Sequence, residues 1–62
     1  MKFAHRGDYD AVARLLRKVQ AELKLSTREA RRLTDAHVRI LSQNEDEYPN
    51  FEPLRFIRIV EE

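Results

Sequence analysis

Apolar positions along this chain recur first at a helical period and then bunch into one dense run near its end. From Asp10 to Leu23 the chain has no Gly or Pro. On a helical wheel Ala11, Val12, Leu15, Leu16, Val19 and Leu23 gather on one side, with Arg14, Arg17, Lys18 and Lys24 on the other. That spacing predicts an amphipathic helix over about residues 9–24, with Asp8 as its N-cap after Gly7. A second helix, over about 27–43, opens on Ser26-Thr27-Arg28-Glu29. Here the Ser26 hydroxyl can accept from the Glu29 amide while the Glu29 carboxylate reaches back to the Ser26 amide. Ala30, Leu33, Ala36, His37, Ile40 and Leu41 form its apolar face, and Asn44 suits its C-cap. About two residues, near Leu25 and Ser26, separate the helices, so the two are expected to be antiparallel neighbours.

The helical pattern stops at Asn44. Residues 44–53 hold both prolines and four acids, and read as a loop anchored by Tyr48 and Phe51. Leu54-Arg55-Phe56-Ile57-Arg58-Ile59-Val60, bounded by Pro53 and rich in β-branched residues, reads as a strand over 54–60. A lone strand is unstable. Its nearest internal mate is Lys2-Phe3-Ala4-His5, which would give a β-α-α-β order; otherwise its mate belongs to another chain. The expected fold is therefore a small α+β domain, an antiparallel two-helix hairpin with a C-terminal strand.

Composition narrows the picture. Sixty-two residues make one domain, and a core this small is marginal unless disulfides, a metal or a partner support it. The chain has no cysteine, which removes disulfides and thiolate metal sites and raises the weight of a partner, self-association included. The first eight residues lack the apolar run of a signal peptide, and no stretch approaches the ~18 apolar residues of a membrane span; the expected location is the cytoplasm. Net charge is only +1, but it is segregated. Residues 1–41 carry ten Lys/Arg and five Asp/Glu, whereas residues 42–62 carry two Arg and six acids. Such polarity suits electrostatic docking or folding of one part back on the other.

Catalysis finds little to work with. One glycine, Gly7, cannot build a phosphate-cradling loop. The hydroxyls are Ser26, Thr27, Thr34 and Ser42, with Ser26 already spent on capping, and neither His5 nor His37 sits in a catalytic motif. His37 falls on an apolar helix face and reads as a half-buried core histidine. His5, Asp8, Asp35 and His37 show no metal-ligand spacing, and Asp35 and His37, two apart, face different ways on a helix. The chain is expected to be non-catalytic, without metal or cofactor.

Two binding chemistries remain. Nucleic acid is the alternative: Arg28, Arg32 and Arg39 share a sector of the second helix with Arg31 beside them, and the first helix adds Arg14, Arg17, Lys18 and Lys24. Against it, a solvated helix face is charged in any case; Asp10 stands four before Arg14, and Glu29 and Asp35 dilute the arginine sector. Leu25-Ser26-Thr27-Arg28-Glu29-Ala30 superficially resembles the start of a response-regulator DNA-binding domain, but the second turn and recognition helix are missing. A protein partner is the leading expectation. Its contacts would be Arg28, Arg32 and Arg39 as a basic stripe, Tyr48 and Phe51 as aromatic anchors, and a strand carrying Arg55 and Arg58 as a pairing edge. Size and composition are those common among phage-encoded regulators and inhibitors, antitoxins and small adaptors, an association with no motif behind it.

Overall fold

In a computed structural model describing residues 6–62, every regular element is a helix: α1 spans Arg6–Glu22, α2 Thr27–Gln43 and α3 Pro53–Glu61. Asp8 lies in the first turn of α1, where a negative charge suits the helix dipole, and not at its N-cap. The Ser26 cap forms: Glu29 N donates to Ser26 Oγ at 3.2 Å, and the Ser26 hydroxyl donates to Glu29 Oε1 at 3.0 Å. The carboxylate thus takes the hydroxyl proton and not the Ser26 amide. At the other end Asn44 Nδ2 donates to the Ile40 carbonyl at 2.8 Å.

Between α1 and α2 the chain reverses without a glycine. Lys24 adopts φ 53°, Lys24 N donates to Ala21 O at 3.1 Å, and Leu25 N donates to Gln20 O at 3.2 Å. These are the two bonds of a Schellman stop, built here on a lysine in the left-handed region that glycine usually fills. The Asn44–Glu52 loop closes with Tyr48 N donating to Asn44 O at 2.7 Å and with Asn50 at φ 61°, a value asparagine tolerates better than most residues.

The expected α+β class is overturned at residues 54–60, which form α3 and not a strand. Period two places one arginine on each face of that segment, Arg58 beside Phe56 and Val60, Arg55 beside Ile57 and Ile59. Period 3.6 instead gathers Phe56, Ile57, Ile59 and Val60 on one side and Arg55, Arg58 and Leu54 on the other. Pro53 lies at the start of the helix, where its missing N–H costs nothing. The helical side was chosen because it buries Phe56 and Val60 against a neighbour, and tertiary burial outweighs the few tenths of a kcal/mol per residue by which β-branched residues disfavour helix. The strand mate assigned to Lys2–His5 lies outside the described residues.

The core lies where α3 meets the hairpin. Tyr9, Ala13 and Leu16 of α1, Leu41 of α2, and Phe56 and Val60 of α3 are buried together, with Tyr48, Phe51, Leu33 and Val38 packed around them. Backbone contacts run chiefly between α3 and α1, then between α3 and α2, while α1 and α2 approach each other least. Near the turn the last two are stitched by Gln20 of α1, whose Nε2 donates to Ala30 O and to Thr34 Oγ1 of α2, both at 2.9 Å. Thr34 is itself buried and donates to Ala30 O at 2.9 Å.

Candidate functional site

On α1 the flank holding Asp10 and Ala13 faces α3: Ala13 has no exposed surface, and Asp10 takes a two-pronged ion pair from Arg55 of α3, with Nε at 3.0 Å and Nη2 at 2.7 Å. On α2 the corresponding flank holds Thr34, Val38 and Leu41. On each of the two helices the opposite flank is left open, and it is apolar. Leu15, Val19 and Leu23 recur every four residues on α1, exposed by 61%, 38% and 61%, and Ile40 of α2 is 55% exposed. The half-buried Val12, Leu33 and His37 join these residues to the core. A nine-residue α3 covers one flank of the hairpin and leaves the other bare.

His37 stands on the open flank with Nδ1 2.9 Å from the Leu33 carbonyl. A carbonyl oxygen only accepts, so Nδ1 carries the proton in this contact. The rim is of mixed sign, with Lys18 and Glu22 on α1 and Glu29, Arg32 and Arg39 on α2, all exposed.

The residues expected to bind a protein fall in different places. Phe51 is half-buried, its ring set edge-on between Tyr9 (centroids 5.3 Å apart) and Phe56 (5.5 Å), both at 65°. Tyr48 is half-buried against the same core. Arg55 is engaged by Asp10, and that hydrogen bond holds its guanidinium above its already high ordinary pKa while burial works the other way. Arg58 is exposed on the outer side of α3. No pairing edge exists at Arg55 and Arg58, because the backbone of 53–61 is helical and spends its hydrogen bonds internally.

Arg28, Arg32 and Arg39 do form an exposed stripe, on the side of α2 turned away from the core. Arg28, Arg31 and Arg32 share a shallow depression with Asp35. Arg14 and Lys18 are exposed on the far side of α1 and Lys24 in the turn, so the basic residues of the two helices point apart and make no single strip. Among the described side chains Arg17 and Arg31 converge. They border a groove of about 460 Å³ beyond the end of α3, with Gln20, Thr27 and Leu25 along it and Glu61 at its edge.

Sequence reasoning gathered Leu15, Val19 and Leu23 on the apolar side of the first helix and paired Asp10 with Arg14. One signal for the open flank was present: the apolar arc of α1 runs from Ala13 through Leu16 and Leu23 to Leu15, wider than one neighbouring helix covers. Nothing local marks Asp10 as the partner of a residue 45 positions away. Tyr9 was passed over entirely, yet its hydroxyl donates to the Pro49 carbonyl, and burial, with Asp8 and then Tyr48 nearby, pushes its phenol pKa up. Among the described residues no three His, Cys, Asp or Glu converge to hold a metal, and no helix is long and apolar enough to cross a membrane. The chain matches no protein-family model, no curated protein and no solved structure, so its own surfaces carry the functional argument.

Proposed function

We propose that this is a small non-catalytic binding protein that acts on other proteins as a regulator, inhibitor or adaptor, with the open flank of the α1–α2 hairpin as its protein-docking surface. One observation carries the reading: Leu15, Leu23 and Ile40 leave more than half of their surface in water, and Val19 more than a third, in a chain that has few apolar residues to spare. Contiguous exposed apolar surface rimmed by charge marks an interaction site more often than a solvated face. The arginine stripe of α2 runs along the edge of this surface and suits steering and register more than affinity.

Phosphate contact through Arg28, Arg31, Arg32 and Arg39 is the second reading, favoured by their shared exposure on α2. It ranks lower because the basic residues of α1 point the other way and Asp35 sits within the cluster. Capture from lysate, with and without nuclease, separates the two. Partners that survive nuclease and are lost on Leu15→Ser/Leu23→Ser support docking through the flank. Partners that vanish with nuclease and with Arg28→Ala/Arg32→Ala/Arg39→Ala, while tolerating the leucine changes, overturn it in favour of nucleic acid.

A further inference from the structure

We infer that the groove bordered by Arg17 and Arg31 binds a small organic phosphate monoester, a ligand separate from any protein docked on the hairpin. All three helices border this groove: α1 through Arg17 and Gln20, α2 through Thr27 and Arg31, and α3 through Val60 and Glu61. Its volume of about 460 Å³ lies toward the small end of ligand pockets, which run from roughly 300 to 1,000 Å³, and suits a compact molecule. Ala21 and Ala30 keep the space open by being small, while Leu25 and Val60 offer apolar surface to the body of a ligand. The polar groups divide into two sets. Gln20 Nε2 donates to Ala30 O and Thr34 Oγ1, and Thr34 Oγ1 donates to Ala30 O, so these groups are already spent on holding the arms together. Arg17, Arg31 and the Thr27 hydroxyl have no hydrogen bond or ion pair to any described residue, and all three side chains are exposed. Arg55, by contrast, is tied to Asp10.

The unspent donors select the ligand. A carboxylate has two oxygens with about four lone-pair sites, and two guanidinium forks fill them. A phosphate monoester has three terminal oxygens, which accept both forks and leave a place for the Thr27 hydroxyl. Its charge of about −1.5 to −2 at neutral pH also answers two arginines, where a carboxylate answers one. Glu61 stands at the edge of the groove, and its carboxylate opposes any anion that enters. It weakens the site and, for the same reason, reports on it. The neighbouring depression of Arg28, Arg31 and Arg32 is poorer ground, because all of its residues belong to α2 and Asp35 sits among them. Arg17 and Arg31 reach the groove from two different helices, the pair that approach each other least. A ligand held by both therefore joins the arms, binds the folded chain alone and stabilises it by mass action.

The test is a nuclear magnetic resonance titration of the full chain with phenyl phosphate, run at low ionic strength, where exposed charges are least screened. The expected result is saturable shifts of amides within residues 17–34 and at 60–61, with a melting temperature that rises as phenyl phosphate is added. Arg17→Gln and Arg31→Gln are each expected to weaken binding by about tenfold or more, the loss of a charge-assisted contact. Glu61→Gln is expected to tighten it, a gain that damage to the fold cannot imitate. Benzoate, with the same ring and a single charge, is expected to bind about tenfold more weakly than phenyl phosphate. Arg28→Gln/Arg32→Gln is expected to change affinity least. An equal loss in that variant would show general attraction to positive charge and overturn the groove as the site. Shifts that do not saturate at millimolar phenyl phosphate overturn it too, as does a Glu61→Gln variant with unchanged or weaker affinity. Benzoate binding as tightly as phenyl phosphate overturns the choice of a phosphate monoester.

Discussion

Phe51 decides whether the aromatic loop belongs to the fold or to its surface. Its ring touches Tyr9 of α1 and Phe56 of α3, and so ties the loop to both helices that flank the core. Phe51→Ala removes a half-buried ring, worth about 1–1.5 kcal/mol at half of the usual value for a buried large side chain. It also removes two edge-to-face pairs, at about 0.5–1.5 kcal/mol each. The loss is about 2–4.5 kcal/mol. A chain of 62 residues has a total stability of about 3–9 kcal/mol, so this one truncation takes about a fifth of it or more. Phe51→Leu keeps most of the apolar burial and forfeits the ring pairs, a loss of about 1–3 kcal/mol. Urea unfolding followed by far-ultraviolet circular dichroism measures both, read as midpoint shifts at constant slope. The expected order is wild type above Leu above Ala. An Ala variant with the wild-type midpoint would refute the argument and return Phe51 to the role of a surface anchor.

Other outcomes follow from single contacts. Lys24→Gly relieves a left-handed lysine at the Schellman stop and is expected to stabilise by about 0.5–1 kcal/mol, seen as a rise of several degrees in melting temperature. Ser26→Ala deletes the cap of α2 and is expected to cost about 0.5–2 kcal/mol, with helix content reduced by circular dichroism. For Tyr9 the folded phenol titrates above its unfolded value near 10, so its contribution is full below about pH 10 and is lost as pH rises through the folded value. Alkaline unfolding should therefore be steeper in the wild type than in Tyr9→Phe, and equal slopes would rule the phenol out as the cause. Asp10→Asn leaves the Arg55 guanidinium without its charged acceptor and is expected to lower the urea midpoint, an effect that shrinks when Arg55→Ala is already present.

Where local chemistry decides structure, the sequence could be read directly. Ser26, Glu29 and Asn44 mark both ends of α2 because capping depends on atoms a few residues apart. Leu54–Val60 was misread for the opposite reason: its β-branched composition is a local preference, and the helix was selected by what Phe56 and Val60 pack against, across more than 40 residues of chain. The same limit governs the candidate site. The apolar arc of α1 was plain, but which of its leucines lie inside is fixed by the side on which α3 docks, and the Asp10–Arg55 pair that helps fix it is invisible to any spacing rule. Tyr48 and Phe51 stood out as aromatic residues in an acidic loop, a pattern shared by interface anchors and by loop plugs alike.

The weak approach of α1 to α2 has a consequence for how this chain holds together in time. A helical hairpin ordinarily survives the loss of a third element, since its two arms grip each other. Here the last helix works as a wedge that both arms lean on, and it reaches them only after a loop of nearly ten residues has closed. A single proteolytic nick between Asn44 and Glu52 would therefore do more than free a tail. It would turn docking of α3 into a bimolecular event at low concentration, and both arms would lose the surface that keeps them apart and in place. The arrangement of all three helices thus depends on the integrity of its least helical segment.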